Sequence, residues 1–357
     1  MKKVLVIGAA VLSASVYADV DMKLSAPTVY GKINKAMSYS NQDVKSRKSF
    51  SNVRDVDNSE SRLGVKGTME ADMLKASYNL ELGLNSSNDS DTTLGRIRMR
   101  MAEIKFESKF GTVAVGQTYT PMSKKALTLD PLSNTLLGIA HSDQKVIFAN
   151  TKTFGKGGLG AIYRARADLI SYTTPSFAGI TYTVATDKEN KMSNSPSAAA
   201  YGRTAYEHLL DFNHKMNDWT LNAFAAYQMT GDASVKSDTD LFYGVKVGLQ
   251  GFDVAFSMTN SEIESGGQKR QIDKMIGAVS YKMNAHKVAF TYQTAEDDNK
   301  IAATKDEVAQ FALGYKYAFN SNLEFRATAG MYNYDNKTTT ANKNDSSIFA
   351  LGTEFKF

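Results

Sequence analysis

A two-residue alternation of apolar and polar positions, repeated along most of the chain, limits the folds available to it most strongly. In the last eleven residues, Phe349, Leu351, Phe355 and the final Phe357 fall on one face of an extended segment. The positions between them are mostly small or charged. A period of two is typical of a β-strand with one apolar and one polar side. Closed into a barrel, such strands present an apolar wall outside and a polar lumen inside.

The first residues have the pattern of a secretory signal peptide. Lys2 and Lys3 precede a mainly apolar run at residues 4–12, and Val16-Tyr17-Ala18 forms a small-x-small cleavage site. This run is too short to span a membrane. We therefore predict a cleaved signal at residues 1–18 and a single barrel domain at 19–357.

Composition excludes several other classes of protein. Beyond the signal, no apolar run is long enough for a transmembrane helix. The 357 residues include no cysteine, which removes disulfide-stabilised folds. A net charge of +5 without a basic recognition helix predicts no nucleic-acid partner. Neither a metal motif nor a cofactor motif is recognisable, and none is predicted. The four scattered histidines are expected to lie in loops or in the lumen.

Connections of alternating length indicate the topology. Seven tight turns are predicted near residues 70–72, 107–111, 174–179, 215–218, 250–251, 284–285 and 320–322. Eight long polar loops are predicted near residues 41–60, 85–93, 119–156, 187–201, 231–239, 261–271, 295–307 and 334–346. Seven turns and eight loops join sixteen strands. The sequence therefore predicts an all-β fold, a 16-stranded antiparallel transmembrane β-barrel with short periplasmic turns and long external loops.

Five segments resemble the general diffusion porins of Gram-negative outer membranes. They are Val29-Tyr30-Gly31-Lys32, Ser61-Arg62-Leu63-Gly64-Val65-Lys66-Gly67, Phe110-Gly111-Thr112-Val113, Gly116-Gln117-Thr118-Tyr119-Thr120-Pro121 and the hairpin at residues 171–179. The resemblance implies a homotrimeric, non-enzymatic channel for passive diffusion of small hydrophilic solutes and ions, with an inward-folded third loop at 119–156. It also implies contact with outer-membrane lipid and lipopolysaccharide, and assembly by the barrel-assembly machinery through Phe357.

The same resemblance places a basic cluster at the pore constriction. It falls on Lys32, Arg62 and Arg100, with a further arginine at Arg164 or Arg166. The acidic run usual in the third loop of the family is absent here. Asp130 is the only acid between Gly111 and His141, while Lys124 and Lys125 add positive charge. The expected result is a net positive constriction with weak anion preference or near-neutral selectivity.

Lysines also dominate the polar face of the C-terminal strands. The basic residues there are Lys246, Lys282, Lys287, Lys316, Arg326 and Lys356, and the acids are Asp253, Glu324 and Glu354. Such charges either favour counter-ions or only solvate a wide pore, and the sequence leaves both open.

Strict alternation makes one strand anomalous. Near residues 94–106 it places Glu103, Lys105 and Glu107 on the face opposite Arg100, which is unfavourable against lipid. Contact with another subunit would remove that problem, so the strand favours an oligomer.

Two other functions stay open at this point. A substrate-selective channel of the same architecture would need a binding track, and the inward aromatics Tyr30, Phe224, Phe242 and Tyr332 are scattered. An outer-membrane enzyme would need an organised Ser/His or Asp/His site, for which no motif is present.

Overall fold

In this computed structural model of the protein, the described residues form one antiparallel sheet of eighteen strand segments and, apart from it, one helix, α1. The structure describes residues 23–44, 47–56, 59–84, 97–138, 166–188, 204–231, 237–265, 268–300, 304–337 and 343–357. Within these ranges no helix is long and apolar enough to cross a membrane. The predicted signal at residues 1–18 lies outside them.

The strands and the helix have the following bounds. They are β1 (Lys23–Leu24), β2 (Thr28–Val44), β3 (Arg47–Asp55), β4 (Ser61–Ala71), β5 (Leu74–Leu84), β6 (Ile97–Ser108), β7 (Gly111–Tyr119), α1 (Pro121–Leu129), β8 (Arg166–Thr173), β9 (Ile180–Lys188), β10 (Thr204–Met216), β11 (Trp219–Gly231), β12 (Ser237–Leu249), β13 (Phe252–Ser265), β14 (Gln268–Met283), β15 (His286–Asn299), β16 (Thr304–Ala318), β17 (Leu323–Asn336) and β18 (Lys343–Lys356).

The sheet closes on itself where β18 pairs with β2. The antiparallel register runs from Ser346 opposite Gln42 to Lys356 opposite Lys32. Residues 35–44 of β2 pair with β3 and residues 28–32 pair with β4, so β3 and β4 together make one strand of the barrel wall. β1 adds only two residues, paired to the end of β4. The predicted 16-stranded antiparallel barrel is therefore confirmed, and its closure leaves no unpaired edge for lipid to meet.

Alternation along the strands separates two faces. On β18, Phe349, Leu351 and Phe355 are exposed on the outside, whereas Ile348 and Glu354 are buried inside. The same rule holds around the wall, with exposed Val, Leu, Ile, Phe and Tyr outside and buried Ser, Thr, Gln, Lys and Arg inside. This distribution is the reverse of that in a water-soluble barrel, as the sequence pattern predicts.

All seven predicted tight turns are present at one end of the barrel. In the turn between β12 and β13, Gln250 has φ 46° and Gly251 has φ 90°. Two consecutive residues with positive φ match the right-handed twist of the flanking strands, which is the reason such two-residue hairpins are favoured. Asn217 and Asn284 adopt the same left-handed region in the turns before β11 and β15.

At the other end, four of the predicted long loops prove to be largely strand. The range 41–60 contains the end of β2 and all of β3, and 261–271 is mostly the hairpin of β13 and β14. β15 and β16 likewise extend into 295–307, and β17 and β18 into 334–346. The bounds predicted for these loops were too wide, because polar residues on both faces suggest a loop, whereas the strands continue there with one face buried, for example at Ile272, Asp297 and Asp306.

A β-bulge corrects the prediction for the strand near residues 94–106. Glu81 of β5 pairs with Met101 and the next residue, Leu82, pairs with Met99, so Arg100 is an extra residue in β6. The bulge reverses the alternation beyond it. Glu103 is therefore buried on the lumen side together with Arg100 rather than opposite to it. Lys105 pairs with Glu103 at 3.0 Å on this same side.

The described part of the third loop, α1 and residues 130–138, lies inside the barrel. Met122, Ala126 and Leu129 of α1 pack against buried residues of β10–β14, including Phe224 and Phe242. This apolar cluster holds α1 against the inner wall. A second apolar cluster forms just beyond the helix.

In that second cluster, Leu132, Leu136 and Leu137 pack against the inner wall of β14–β18. Leu132 sits directly over Gly314, where any larger residue would meet its side chain. Burying these leucines favours the inward position of the loop by roughly 1.5–3 kcal/mol each. Residues 139–156 of the predicted loop lie outside the described ranges.

Candidate functional site

An arginine cluster occupies the lumen face of β4–β8. The buried Arg100 forms ion pairs with two carboxylates, Glu60 through Nη1 and Glu81 through Nε, the latter at 2.6 Å. Arg62 lies 3.4 Å from Glu81, and Arg98 lies 2.9 Å from Glu60. Each carboxylate therefore serves at least two guanidinium groups.

Tyr119 joins the cluster at the point where β7 leads into α1. Its hydroxyl accepts hydrogen bonds from Arg100 Nη2 at 2.9 Å and from Arg166 Nη1 at 3.2 Å. The guanidinium carbon of Arg166 stands 5.2 Å from the centre of the Tyr119 ring, within range of a cation–π contact. The Nη2 atom of Arg166 is also 4.0 Å from Glu60.

Exposure divides these four arginines into two kinds. The Arg100 side chain is only 2% exposed, whereas Arg98 is 52% exposed and Arg62 and Arg166 are 17% and 15% exposed. Arg100 therefore neutralises and positions the two carboxylates. The other three guanidinium groups present charge to water in the lumen, and four arginines against two carboxylates leave an excess of positive charge.

Lys32 lies on β2 directly opposite Arg62 of β4, and it connects the arginine cluster to a second group of charges across the closure between β2 and β18. Its Nζ lies 2.7 Å from Glu354, which is also 2.9 Å from Arg326. Arg326 donates to the backbone oxygen of Asn134 at 2.6 Å, and the Asn134 amide donates to Glu324 at 3.1 Å. The wall charges thus hold the turn that follows α1.

The two lysines of α1 point to different surroundings. Lys125 is buried, with Nζ 2.7 Å from Asp211 and 3.2 Å from Asn222, so its charge is compensated. Lys124 is on the exposed side of the helix. Although Lys124 reaches water, partial desolvation by the surrounding wall lowers its pKa. Repulsion from Lys105 lowers this pKa further, and attraction to Glu103 raises it.

The predicted loop acid, Asp130, is buried in its own turn. It accepts a hydrogen bond from the backbone nitrogen of Leu132 at 2.8 Å. Of the other predicted residues, Arg164 lies outside the described ranges. The structure therefore brings Arg62, Arg100 and Arg166 together with Lys32 beside Arg62, and it places Lys125 and Asp130 in separate contacts.

Sequence reasoning missed Glu60, Glu81, Arg98 and Tyr119. Glu60 fell inside a range predicted as a loop, whereas alternation places Arg98 on the same face as Arg100 and could have identified it. Alternation could have identified Glu81, because it lies between the outward Leu80 and the half-buried Leu82 on β5. Nothing local indicates Tyr119, since its role depends on arginines from two other strands.

The three described histidines, His208, His214 and His286, occupy outward-facing strand positions rather than the lumen or a loop. His208 Nδ1 is 2.6 Å from the Tyr182 hydroxyl, and His286 Nδ1 is 2.7 Å from that of Tyr315. Within the described ranges, no group of three or more His, Cys, Asp or Glu side chains is arranged to hold a metal ion.

Comparison with known proteins agrees with this architecture. The family model of the Gram-negative porins matches residues 4–337. No curated protein sequence aligns significantly with the chain. Among solved structures, an anion-selective porin from Comamonas acidovorans has a TM-score of 0.71 at 18% identity, covering 94% of this chain and 100% of that one.

Two further structures are similar at lower scores. OmpT of Vibrio cholerae in a trimer form has a TM-score of 0.61 at 15% identity, covering 93% and 100% of the two chains. OmpF of Salmonella typhi in complex with daunomycin has a TM-score of 0.61 at 13% identity, covering 93% and 97%. At these identities the likeness concerns the fold.

A closed 16-stranded barrel with an apolar outside, a charged lumen and a loop segment within it defines a class, the large transmembrane β-barrel channels. The family match over nearly the whole chain makes the particular assignment: this chain belongs to the Gram-negative porins. It is a multi-pass outer-membrane channel for passive diffusion of small hydrophilic solutes and ions.

Proposed function

We propose that this porin prefers anions weakly, and that the narrow part of its lumen is set by the arginine cluster together with α1. The carrying observation is that four guanidinium groups converge on only two carboxylates, with Arg98 the most exposed. Lys124 faces the same water without a bonded carboxylate on its own helix. A fixed excess of positive charge in a confined aqueous path raises the local anion concentration.

The similar solved structure described as an anion-selective porin supports this preference. The preference stays weak because Glu60, Glu81, Glu103 and Asp211 lie within ion-pair distance of the positive groups. A reversal potential measured across a bilayer in a dilute KCl gradient tests the proposal. A strongly cation-selective wild-type channel would contradict it.

The alternative of a substrate-selective channel lacks a free aromatic track among the described residues. Phe224 and Phe242 are buried beneath α1, and Tyr332 is buried in the cluster formed by residues 132–137. Aromatic rings covered by the loop do not guide a solute. Liposome swelling with sugars of increasing size should therefore show a smooth size limit and no saturation.

A homotrimer is the assembly that we propose, and one sector of the outer surface supports it. Among the described residues of β2–β6, the exposed large hydrophobic side chains are aliphatic except for Tyr39. Those of β15–β18 include many Phe and Tyr. Aromatic girdles mark the lipid-facing surface of such barrels, so the aliphatic sector fits a subunit contact.

The charges on β6 do not support a subunit contact, because the bulge directs Glu103 and Lys105 into the lumen. A native gel of unboiled protein should show a heat-modifiable band at trimer size. Replacing Ile33 and Leu80 by Trp should weaken that band, whereas the same change at Leu313 and Leu351 should not.

Phe357 is proposed as the residue through which the outer-membrane assembly machinery recognises the last strand. Its backbone exchanges hydrogen bonds with Gly31, at 2.9 and 3.1 Å. A side chain at Gly31 would come within 2.5 Å of the Phe357 ring, so glycine is required for this closure.

Deleting Phe357 should reduce assembled, heat-modifiable protein much more than synthesis. Gly31→Val, which disturbs the closure but leaves the C-terminus unchanged, separates mechanical closure from recognition. Equal yields of folded barrel with and without Phe357 would remove the proposal.

A further inference from the structure

Four basic residues stand directly opposite one another on the lumen face of β14–β17. Lys282 pairs with Lys287, Lys287 with Lys316, and Lys316 with Arg326. Each lies within four residues of a short turn, at the end of the barrel that is periplasmic in porins. Like charges directly opposite each other destabilise a sheet, so this row requires compensation.

Compensation reaches only one end of the row. Arg326 lies 2.6 Å from Glu324 and 2.9 Å from Glu354. Lys316 donates to the side-chain oxygen of Asn134, a neutral acceptor. At the other end, Lys282 and Lys287 form no ion pair within 4.0 Å with any described carboxylate.

The carboxylates near Lys287 are already engaged. Asp253 lies 3.3 Å from Lys246, a further lysine whose charge repels Lys287. Asp130 is buried in its turn. Among the described residues, the adjacent ammonium groups of Lys282 and Lys287 thus have no carboxylate partner on the wall of the aqueous lumen, and that of Lys316 lies beside them.

We propose that Lys282, Lys287 and Lys316 form a binding subsite for a multivalent oxyanion of the phosphate type at the periplasmic end of the lumen. Opposed residues on one sheet face have Cβ atoms about 4.5–5.5 Å apart, and each ammonium carries three donors. Oxygens of one phosphate group can therefore bond to neighbouring lysines at once. Chloride has no separate oxygens with which to bridge them.

This inference goes beyond weak anion preference and rests on the proposed conduction of anions. Preference requires only a diffuse positive potential. A subsite adds charge-assisted hydrogen bonds to a particular ligand, which predicts saturation. The expected ligand is soluble phosphate or a phosphate monoester. A lipid phosphate is not expected, because the lysines face the lumen and the barrel wall separates them from lipid.

The test is single-channel recording of chloride current at constant ionic strength and pH 7.5, with inorganic phosphate added to one side at a time. We expect reversible block that saturates, with lower concentrations needed from the periplasmic side. The double variant K282Q/K287Q should raise the half-blocking concentration about tenfold, equivalent to roughly 1.4 kcal/mol. The double variant K282R/K287R, which keeps both charges, should retain most of the block.

A matched control is K305Q, which removes one lysine that pairs with Glu296 at 2.5 Å at the opposite end of the barrel. It should leave the half-blocking concentration unchanged. An unaltered value in a heat-modifiable K282Q/K287Q channel would overturn the subsite, as would normal chloride current without saturable block in the wild type. Absence of chloride current would instead overturn the proposed function, and the subsite with it.

Discussion

The two charged walls of the lumen are both basic, yet they are organised differently. On β4–β8, arginines are tied to Glu60 and Glu81 in a network whose central member, Arg100, is almost completely buried. On β14–β17, lysines stand side by side and two of them have no carboxylate partner within 4.0 Å among the described residues. The first arrangement holds its charges in fixed ion pairs. The second leaves Lys282 and Lys287 accessible to ions, whereas Lys316 is buried against Asn134.

This difference follows from the chemistry of the two side chains. A planar guanidinium bonds two carboxylates at once and tolerates burial, whereas a flexible ammonium keeps its hydration. We infer that the arginine wall shapes a constant field and holds the fold locally. The lysine wall responds to whichever ions are present.

Removing the centre of the arginine wall should produce the largest effect. Arg100→Ala leaves Glu60 and Glu81 buried with one partner fewer, and loss of a buried partner costs about 3–5 kcal/mol. Heat modifiability and urea unfolding of the folded protein measure the loss. Lys282→Ala is the matched change on the lysine wall and should cost less than about 0.5 kcal/mol.

Adding Glu60→Gln to Arg100→Ala should recover part of that loss, because one stranded charge disappears. Equal stability of the Arg100→Ala and Lys282→Ala variants would contradict the distinction between the arginine wall, whose charges are paired, and the lysine wall, whose charges are open to ions.

The two lysines of α1 provide an internal version of the same comparison. Lys125→Glu places a carboxylate beside Asp211 in a buried position, so we expect about 2–4 kcal/mol of destabilisation and poor folding. Lys124→Glu alters an exposed group, so the barrel should fold normally while the reversal potential moves toward cations. Indistinguishable folding yields for the two variants would argue against the observed burial of Lys125.

A smaller effect is expected from Glu60→Gln alone, which leaves the arginine wall with one more uncompensated charge. A unit charge acts on an ion about 4 Å away with roughly 1 kcal/mol in water, so the anion-to-cation permeability ratio should rise by about two- to fivefold. Reversal potentials in dilute KCl measure the ratio. A shift toward cations would mean that Glu60 does not face the conducting path.

The smallest effect, and the most dependent on conditions, concerns Lys287→Gln. The anion preference should fall slightly at 0.1 M salt and reach the wild-type value near 1 M, because the Debye length shrinks from about 10 Å to about 3 Å. Conductance and reversal potential at both concentrations check this. A change in anion preference that does not depend on salt would mean that the charge of Lys287 is held in a fixed contact, like those of the arginine wall.

The sequence by itself determined the barrel, its strand number, its short turns and the apolar outer face, since each depends on alternation and on turn residues close in the chain. Family resemblance also pointed to Lys32, Arg62 and Arg100, and it left the choice between Arg164 and Arg166 open. The pairing of those arginines could not be read from the sequence, because Glu60, Glu81 and Tyr119 meet them only after distant strands are aligned.

Only the tertiary structure decided how β6 is aligned with β5. One extra residue at Arg100 shifts the register and reverses every later position. The apolar positions of the sequence change phase there, from Ile97, Met99 and Met101 to Ala102, Ile104 and Phe106, but the residues that pair with them are not visible in it. Tertiary contacts also decided how α1 lies, since Leu132 and Leu137 fit over Gly314 and Gly330 from strands far along the chain. Alternation is a local property of one strand, whereas register, burial and ion pairing arise from the closure of the whole wall.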